Sequence, residues 1–173
     1  YQYSYLEENY QLEPLLAADM PKYSKDHLTL TIPIKRGVKY QNDPCFETTQ
    51  GKGREMKAQD FVFAFKRMAH PSLQSSGWWT VDGKIKGIND FQKKLENTPK
   101  VGRDRLLDED VEGIRALDDY TLQIKLTKPY PQLMYILAMP FTSPVPKEAH
   151  QKYGDEESRM TDHPVGTGPF ILK

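Results

Sequence analysis

Two stretches of the chain alternate apolar and polar residues with a period of two, as a strand with one buried face requires. In His27–Ile34, Leu28, Leu30, Ile32 and Ile34 share one face, while Thr29 and Thr31 point the other way. Pro33 has no amide to donate, which places this strand at a sheet edge or puts Pro33 near its end. Tyr120–Leu126 alternates as cleanly, and Asp118-Asp119 before it supplies turn chemistry. With Ile114 and Leu117 upstream, residues 111–127 are expected to form a hairpin. A helical period takes over at 58–69, where Phe61, Val62, Phe65, Met68 and Ala69 fall on one face and His70-Pro71 ends the run. Ile88, Phe91, Gln92 and Leu95 predict a second helix over 88–96, closed by Pro99.

Shorter signals fill the remainder. Glu13–Pro21 reads as a single helical turn, with Pro14 near its start and Pro21 at its end. Lys35–Tyr40 reads as a turn entering a short strand. Residues 41–56 and the charged 98–110 read as loops. Pro131 opens a short apolar helix, Ser143–Pro146 is extended, and Lys147–Tyr153 is a helix stopped by Gly154. Residues 166–173 read as a turn feeding a strand. Residues 1–12 are Tyr-rich and show no period. The order is neither a regular βαβ series nor strands alone, so the expected class is α+β (mixed α/β).

Composition narrows the function. The 173 residues carry 24 basic and 24 acidic side chains. A net charge of zero disfavours nucleic acid as the main partner, because neutralising phosphates takes a basic excess. No window approaches the 18 or so apolar residues of a membrane span. Cys45 is the single cysteine, so no disulfide can form within the chain. The chain opens on Tyr1, with neither a basic nor an apolar leader segment after it, and reads as a piece of something longer.

Candidate chemistry is sparse. His27, His70, His150 and His163 stand at no i+3 or i+4 spacing to one another, and neither HExxH nor CxxC occurs. Cys45 follows Asp43-Pro44 in a loop with no neighbouring histidine, which reads as an inert thiol. Asp118-Asp119 reads as a turn, not an acid–base pair. Gly166-Thr167-Gly168 lacks the third glycine and the following helix of a phosphate-binding loop, which leaves a tight backbone approach as its use. Trp78-Trp79, behind Ser75-Ser76-Gly77, could stack on a ligand or cover a neighbouring lobe.

Seven stretches occur in one family's order across nearly the whole chain. They are Leu15-Leu16-Ala17 before the first strand, Lys35–Tyr40, Ala58–Arg67, Ala116–Leu122, Leu126–Pro131, Ser143–Lys147 and Pro164–Phe170. Together they resemble the family 5 extracellular solute-binding proteins, the dipeptide and oligopeptide receptors of ABC importers. The resemblance implies part of the first lobe of a bilobed type II periplasmic-binding-protein fold. Residues 1–173 would be a single incomplete N-terminal lobe fragment. It further implies a peptide ligand, a membrane permease as partner, a missing C-terminal lobe, and a periplasmic or extracellular site, lipid-anchored to the envelope in some cases. It implies no catalytic residue, metal or cofactor. Trp78, Trp79, Gly166, Thr167 and Gly168 are the candidate cleft contacts, and the glycine turn is alternatively an inter-lobe crossover. Two departures stand out. Lys57 occupies the helix-capping position where the family usually has Thr, and the Gln41–Met56 loop replaces a short turn. The loop leaves open other cargo, namely haem, nickel complexes or sugars. The rival readings are a ligand-sensing regulatory module of the same fold and a hydrolase.

Overall fold

In the computed structural model, residues 1–4, 11–154 and 159–171 are described. The strands are β1 (Gln2–Tyr3), β2 (Leu12–Glu13), β3 (Lys22–Tyr23), β4 (Thr29–Pro33), β5 (Ile114–Asp118) and β6 (Thr121–Lys125). The first two form a separate antiparallel pair, and the others form an antiparallel sheet ordered β3-β4-β6-β5. The two alternating segments of the sequence thus pair with each other. Leu30 lies opposite Ile124 and Ile32 opposite Leu122, and all four side chains are buried on one face. Burying each such aliphatic side chain contributes about 1.5–3 kcal/mol. Pro33 is the last residue of β4, an interior strand, and its carbonyl accepts from Ala18 N–H at 2.8 Å.

The first long helix, α1 (Ala58–Met68), covers β5 and β6. Its buried face is wider than the predicted stripe, because Phe63 and Ala64 are also buried while Phe61 stays half-buried. The added burial comes from a second layer: the 3₁₀ turn Pro140–Thr142 packs on α1, and the His150 ring meets the edge of Phe63 at 5.4 Å. Lys57 does not cap the helix with its side chain, which instead pairs with Asp119 at 2.7 Å. Asp60, three residues on, accepts from the Lys57 N–H at 2.9 Å and supplies the reciprocal half of a cap. Ala58 N–H also donates to Asp119 O at 2.8 Å, so the hairpin tip pins the helix start.

The remaining helices are α2 (Ile88–Glu96), α3 (Lys100–Leu106), α4 (Leu133–Ile136), α5 (Lys147–Tyr153) and α6 (Arg159–Asp162). The hairpin, α1, α2, α4 and α5 form where the sequence predicts them, and Gly154, at φ +67°, ends α5. Three expectations are corrected. Residues 13–21 do not coil into a helical turn: Ala17 bridges Ile34, and Lys35 N–H donates to Leu16 O at 2.9 Å, so pairing along the end of β4 overrides local propensity. The charged stretch 98–110 contains α3, which Pro99 opens. No strand forms over 169–171, where the exposed backbone has no pairing partner among the described residues.

Candidate functional site

A cleft of about 270 Å³ opens at one margin of the sheet. Its floor is Ile32 and Ile34 of the β4 segment with Phe61 and Phe65 of α1. Its rims are Leu15–Ala17 on one side and Leu137–Pro140 on the other. The lining is aliphatic and aromatic. Its polar groups are largely engaged within the chain: Gln2 Nε2 donates to Glu13 Oε1 at 2.6 Å, and Thr142 Oγ1 lies 3.1 Å from Met139 O. Tyr1 is the one ionisable side chain among the lining residues, and its hydroxyl donates to Asp19 O at 3.1 Å. Such a cleft can take up apolar side chains but presents no pair of groups for acid–base work.

The five predicted contact residues lie outside this lining. Trp78 and Trp79 sit on the 3₁₀ turn Trp78–Thr80, fixed by Thr80 Oγ1 donating to Gly77 O at 2.7 Å. Trp78 packs on the core, while Trp79 is 49% exposed. Gly77 lets Phe141 pack close, since a Cβ would come within 2.7 Å of its ring. Lys84 Nζ donates to Trp79 O at 2.5 Å and lies 5.5 Å from the Tyr130 ring centre. Trp78 is thus half-buried against the core, and Trp79 is the more exposed of the two. Gly166-Thr167-Gly168 forms a bend tied elsewhere, with Gly166 O accepting from Gln41 N–H at 2.9 Å. Neither glycine has positive φ, and an added Cβ would meet no atom closer than 3.9 Å at Gly166 and none within 4 Å at Gly168. The turn's backbone thus meets Gln41, but no described part of the chain comes close enough to either glycine to need its missing Cβ.

Sequence reading missed an ionic cluster beneath the 41–56 loop. The Arg54 guanidinium forks onto two carboxylates: Asp60 at 2.7 and 2.9 Å, and Glu148 at 2.6 and 2.7 Å. Burial disfavours the Arg54 charge, but the hydrogen bonds and charges of both carboxylates outweigh it and hold its pKa above the ordinary value. Burial likewise opposes ionised Glu148, and the Arg54 hydrogen bonds override it, so the Glu148 pKa is lowered. Tyr40 and Phe46 stand beside the guanidinium, with ring centres 5.4 and 6.0 Å away. Gly53 allows the close packing, because a Cβ there would lie 1.9 Å from Tyr40 O. The only hint in the sequence was Asp60 at a helix start.

Cys45 is buried, and its thiol is pushed up to about 12, first by burial and then by Asp43. It is a poor nucleophile at neutral pH. His70 Nε2, just past the end of α1, and His150 Nε2 on α5 lie 3.4 and 3.5 Å from the same oxygen, Asp104 Oδ1 of α3. Among the described residues no group of three or more His, Cys, Asp or Glu side chains is arranged to hold a metal ion, and no helix is long and apolar enough to cross a membrane.

Comparison with known proteins places this geometry. The profile of the bacterial extracellular solute-binding proteins, family 5, middle region, matches residues 11–173. The oligopeptide-binding protein AmiA of Streptococcus pneumoniae is 31% identical over 169 residues, spanning 96% of this chain and 23% of AmiA. The structure of the pheromone receptor PrgZ, described for its mode of peptide binding, superposes with a TM-score of 0.72 at 26% identity, over 99% of this chain and 29% of PrgZ. OppA of Listeria monocytogenes bound to peptide gives a TM-score of 0.66 at 26% identity, over 92% of this chain and 27% of OppA. The chain thus spans about a quarter of the length of the relatives it matches.

Proposed function

The chain belongs to the bacterial extracellular solute-binding proteins of family 5, and from that premise we propose that it is part of the substrate-binding component of a peptide-type ABC importer. The observation that carries this reading is the family match over 11–173, together with relatives named for binding oligopeptides and dipeptides. Residues 1–173 are, in this reading, one incomplete N-terminal lobe fragment, and a second lobe closes over the ligand. Extended peptides are held by backbone pairing, which is indifferent to sequence, plus pockets that admit varied side chains. The apolar cleft under Leu15–Ala17 and the exposed face of Trp79 suit such side chains. The open space beside Gly166 and Gly168 suits a second backbone, from ligand or lobe. Trp78, Trp79, Gly166, Thr167 and Gly168 remain the proposed contacts. The proposed partner is a membrane permease, and the proposed location is periplasmic or extracellular. As a solute-binding protein it delivers cargo unchanged.

The test is titration calorimetry with a pool of random tetrapeptides, run on the longer polypeptide carrying this sequence and on residues 1–173 alone. The expected result is heat of binding for the longer polypeptide and none for residues 1–173. Equal binding by both would overturn the placement of the site between lobes, and binding by neither would overturn the peptide reading.

A further inference from the structure

Residues 98–110 meet the rest of the fold through charge more than through apolar packing. Leu107 is the one fully buried side chain of this stretch, and Leu106 is half-buried against the core. The helix α3 itself buries no residue. Its neighbour α2 differs, because Ile88, Phe91 and Leu95 anchor it in the core. The sequence adds to the contrast. With seven residues, and with Val101 and Gly102 in its first turn, α3 is too short and too weak in propensity to stay helical off its support.

The acidic groups of the stretch face cationic or imidazole groups on three helices. Asp104 Oδ1 lies between His70, just past α1, and His150 of α5. Asp108 pairs with Lys147 at the start of α5, and Glu109 pairs with Lys94 of α2. Lys66 Nζ, on α1, donates to the Glu109 carbonyl at 3.0 Å. The side chains of the two lysine–carboxylate pairs are 39–62% exposed, so dissolved salt reaches them. The stretch has firm ends. Leu95 is fully buried ahead of it, and Val111 behind it is buried and bridges Ile114.

We propose that residues 98–110 form a flap latched by charge, which lifts from α1, α2 and α5 as a unit while the sheet stays folded. Lys94 and Lys147 latch it from two sides, and Leu107 is its apolar plug. Once the pairs are screened, one plug and a short helix hold it down. The sheet opens at far greater cost, because Leu30, Ile32, Leu122 and Ile124 are buried together across β4 and β6. The flap is independent of the peptide-binding reading.

Hydrogen exchange on the 173-residue chain, followed by mass spectrometry at neutral pH, reads the flap directly. Raising sodium chloride from about 0.1 M to about 1 M shortens the screening length from about 10 Å to about 3 Å. The amides of residues 100–109 should then exchange about fivefold faster, whereas those of α2, Leu30 and Ile124 should change by less than about twofold. At the lower salt, Lys94→Gln and Lys147→Gln should each speed exchange of 100–109 by about two- to threefold. At the higher salt both variants should match the unsubstituted chain. Both lysines lie at the surface, so the fold tolerates these changes. A salt response in 100–109 no larger than in α2, or unchanged rates at the lower salt in both variants, would overturn the latch. Equal acceleration at Leu30 and Ile124 would mean that the whole body opens, and would overturn the flap.

Discussion

Replacing Arg54 by alanine tests how the 41–56 loop is held. The side chain of Asp60 is only 5% exposed, and Arg54 is its bidentate partner. Truncation leaves a buried carboxylate with the Lys57 N–H as its one remaining donor among the hydrogen bonds seen here. Removing one partner of a fully buried ion pair costs about 3–5 kcal/mol. Arg54 and Glu148 are partly exposed, at 25% and 31%, so water can rehydrate that half of the fork. The lower end of the range therefore applies, about 3 kcal/mol. For a body of this size that lowers the thermal midpoint by roughly 6–12 °C. Arg54→Lys should recover only part of the loss, because one ammonium cannot fork onto two carboxylates. Urea unfolding followed by circular dichroism gives the free energy. A cycle with Asp60→Ala should show coupling of about 2 kcal/mol or more between the two sites. A loss below about 1 kcal/mol for Arg54→Ala, within the range of surface pairs, would refute the claim that this cluster anchors the loop.

Three further outcomes follow from the same geometry. Glu148 and Asp43 both have folded pKa values below their unfolded ones: burial opposes each charge, and hydrogen bonds from Arg54, and from Cys45 N–H and Tyr153, override it. Their stabilisation is therefore complete above about pH 4.5 and is lost as pH falls through the lower folded values. The urea midpoint should drop below that pH, and less steeply in Glu148→Gln; parallel slopes would contradict the assignment. Cys45, with its thiol pushed up to about 12, should react with an aromatic disulfide reagent at pH 8 more than about a hundredfold slower than free cysteine, and a comparable rate would show the loop to be open. Lys66 is buried with Nζ donating to Glu109 O at 3.0 Å, and burial lowers its pKa. Because the Glu109 backbone can turn to water, Lys66→Met should leave the urea midpoint unchanged or raise it, and a clear fall would mean the ammonium is a net stabiliser.

What could be read in advance follows the range of the interactions. The β4–β6 pair, α1, α2 and the hairpin are written in periods of two and 3.6, because each buries one continuous face. Residues 13–21 were misread because Ala17 takes its conformation from Ile34, a partner outside the local window. The helix α3 was missed because none of its residues is fully buried, and it is docked through Asp104 to His70 and His150, far off in sequence. The candidate contacts fared similarly. Glycine and tryptophan pairs stand out in a sequence, but whether Trp78 or Trp79 faces outward depends on packing around Phe141 and the core. The Arg54 cluster joins residues 94 apart, and beyond Asp60 at a helix start no local pattern marks it. The apolar cleft, built from several separate segments, is likewise a product of topology.

The central claim is that this chain serves a receptor for peptides. Native mass spectrometry of the longer polypeptide, purified without denaturation, tests it most directly. The account predicts a protein mass plus adducts that fragment into short peptides of mixed sequence. A bare protein that also fails to take up the tetrapeptide pool, or an adduct with the mass of a sugar, a haem or a nickel complex, would contradict it.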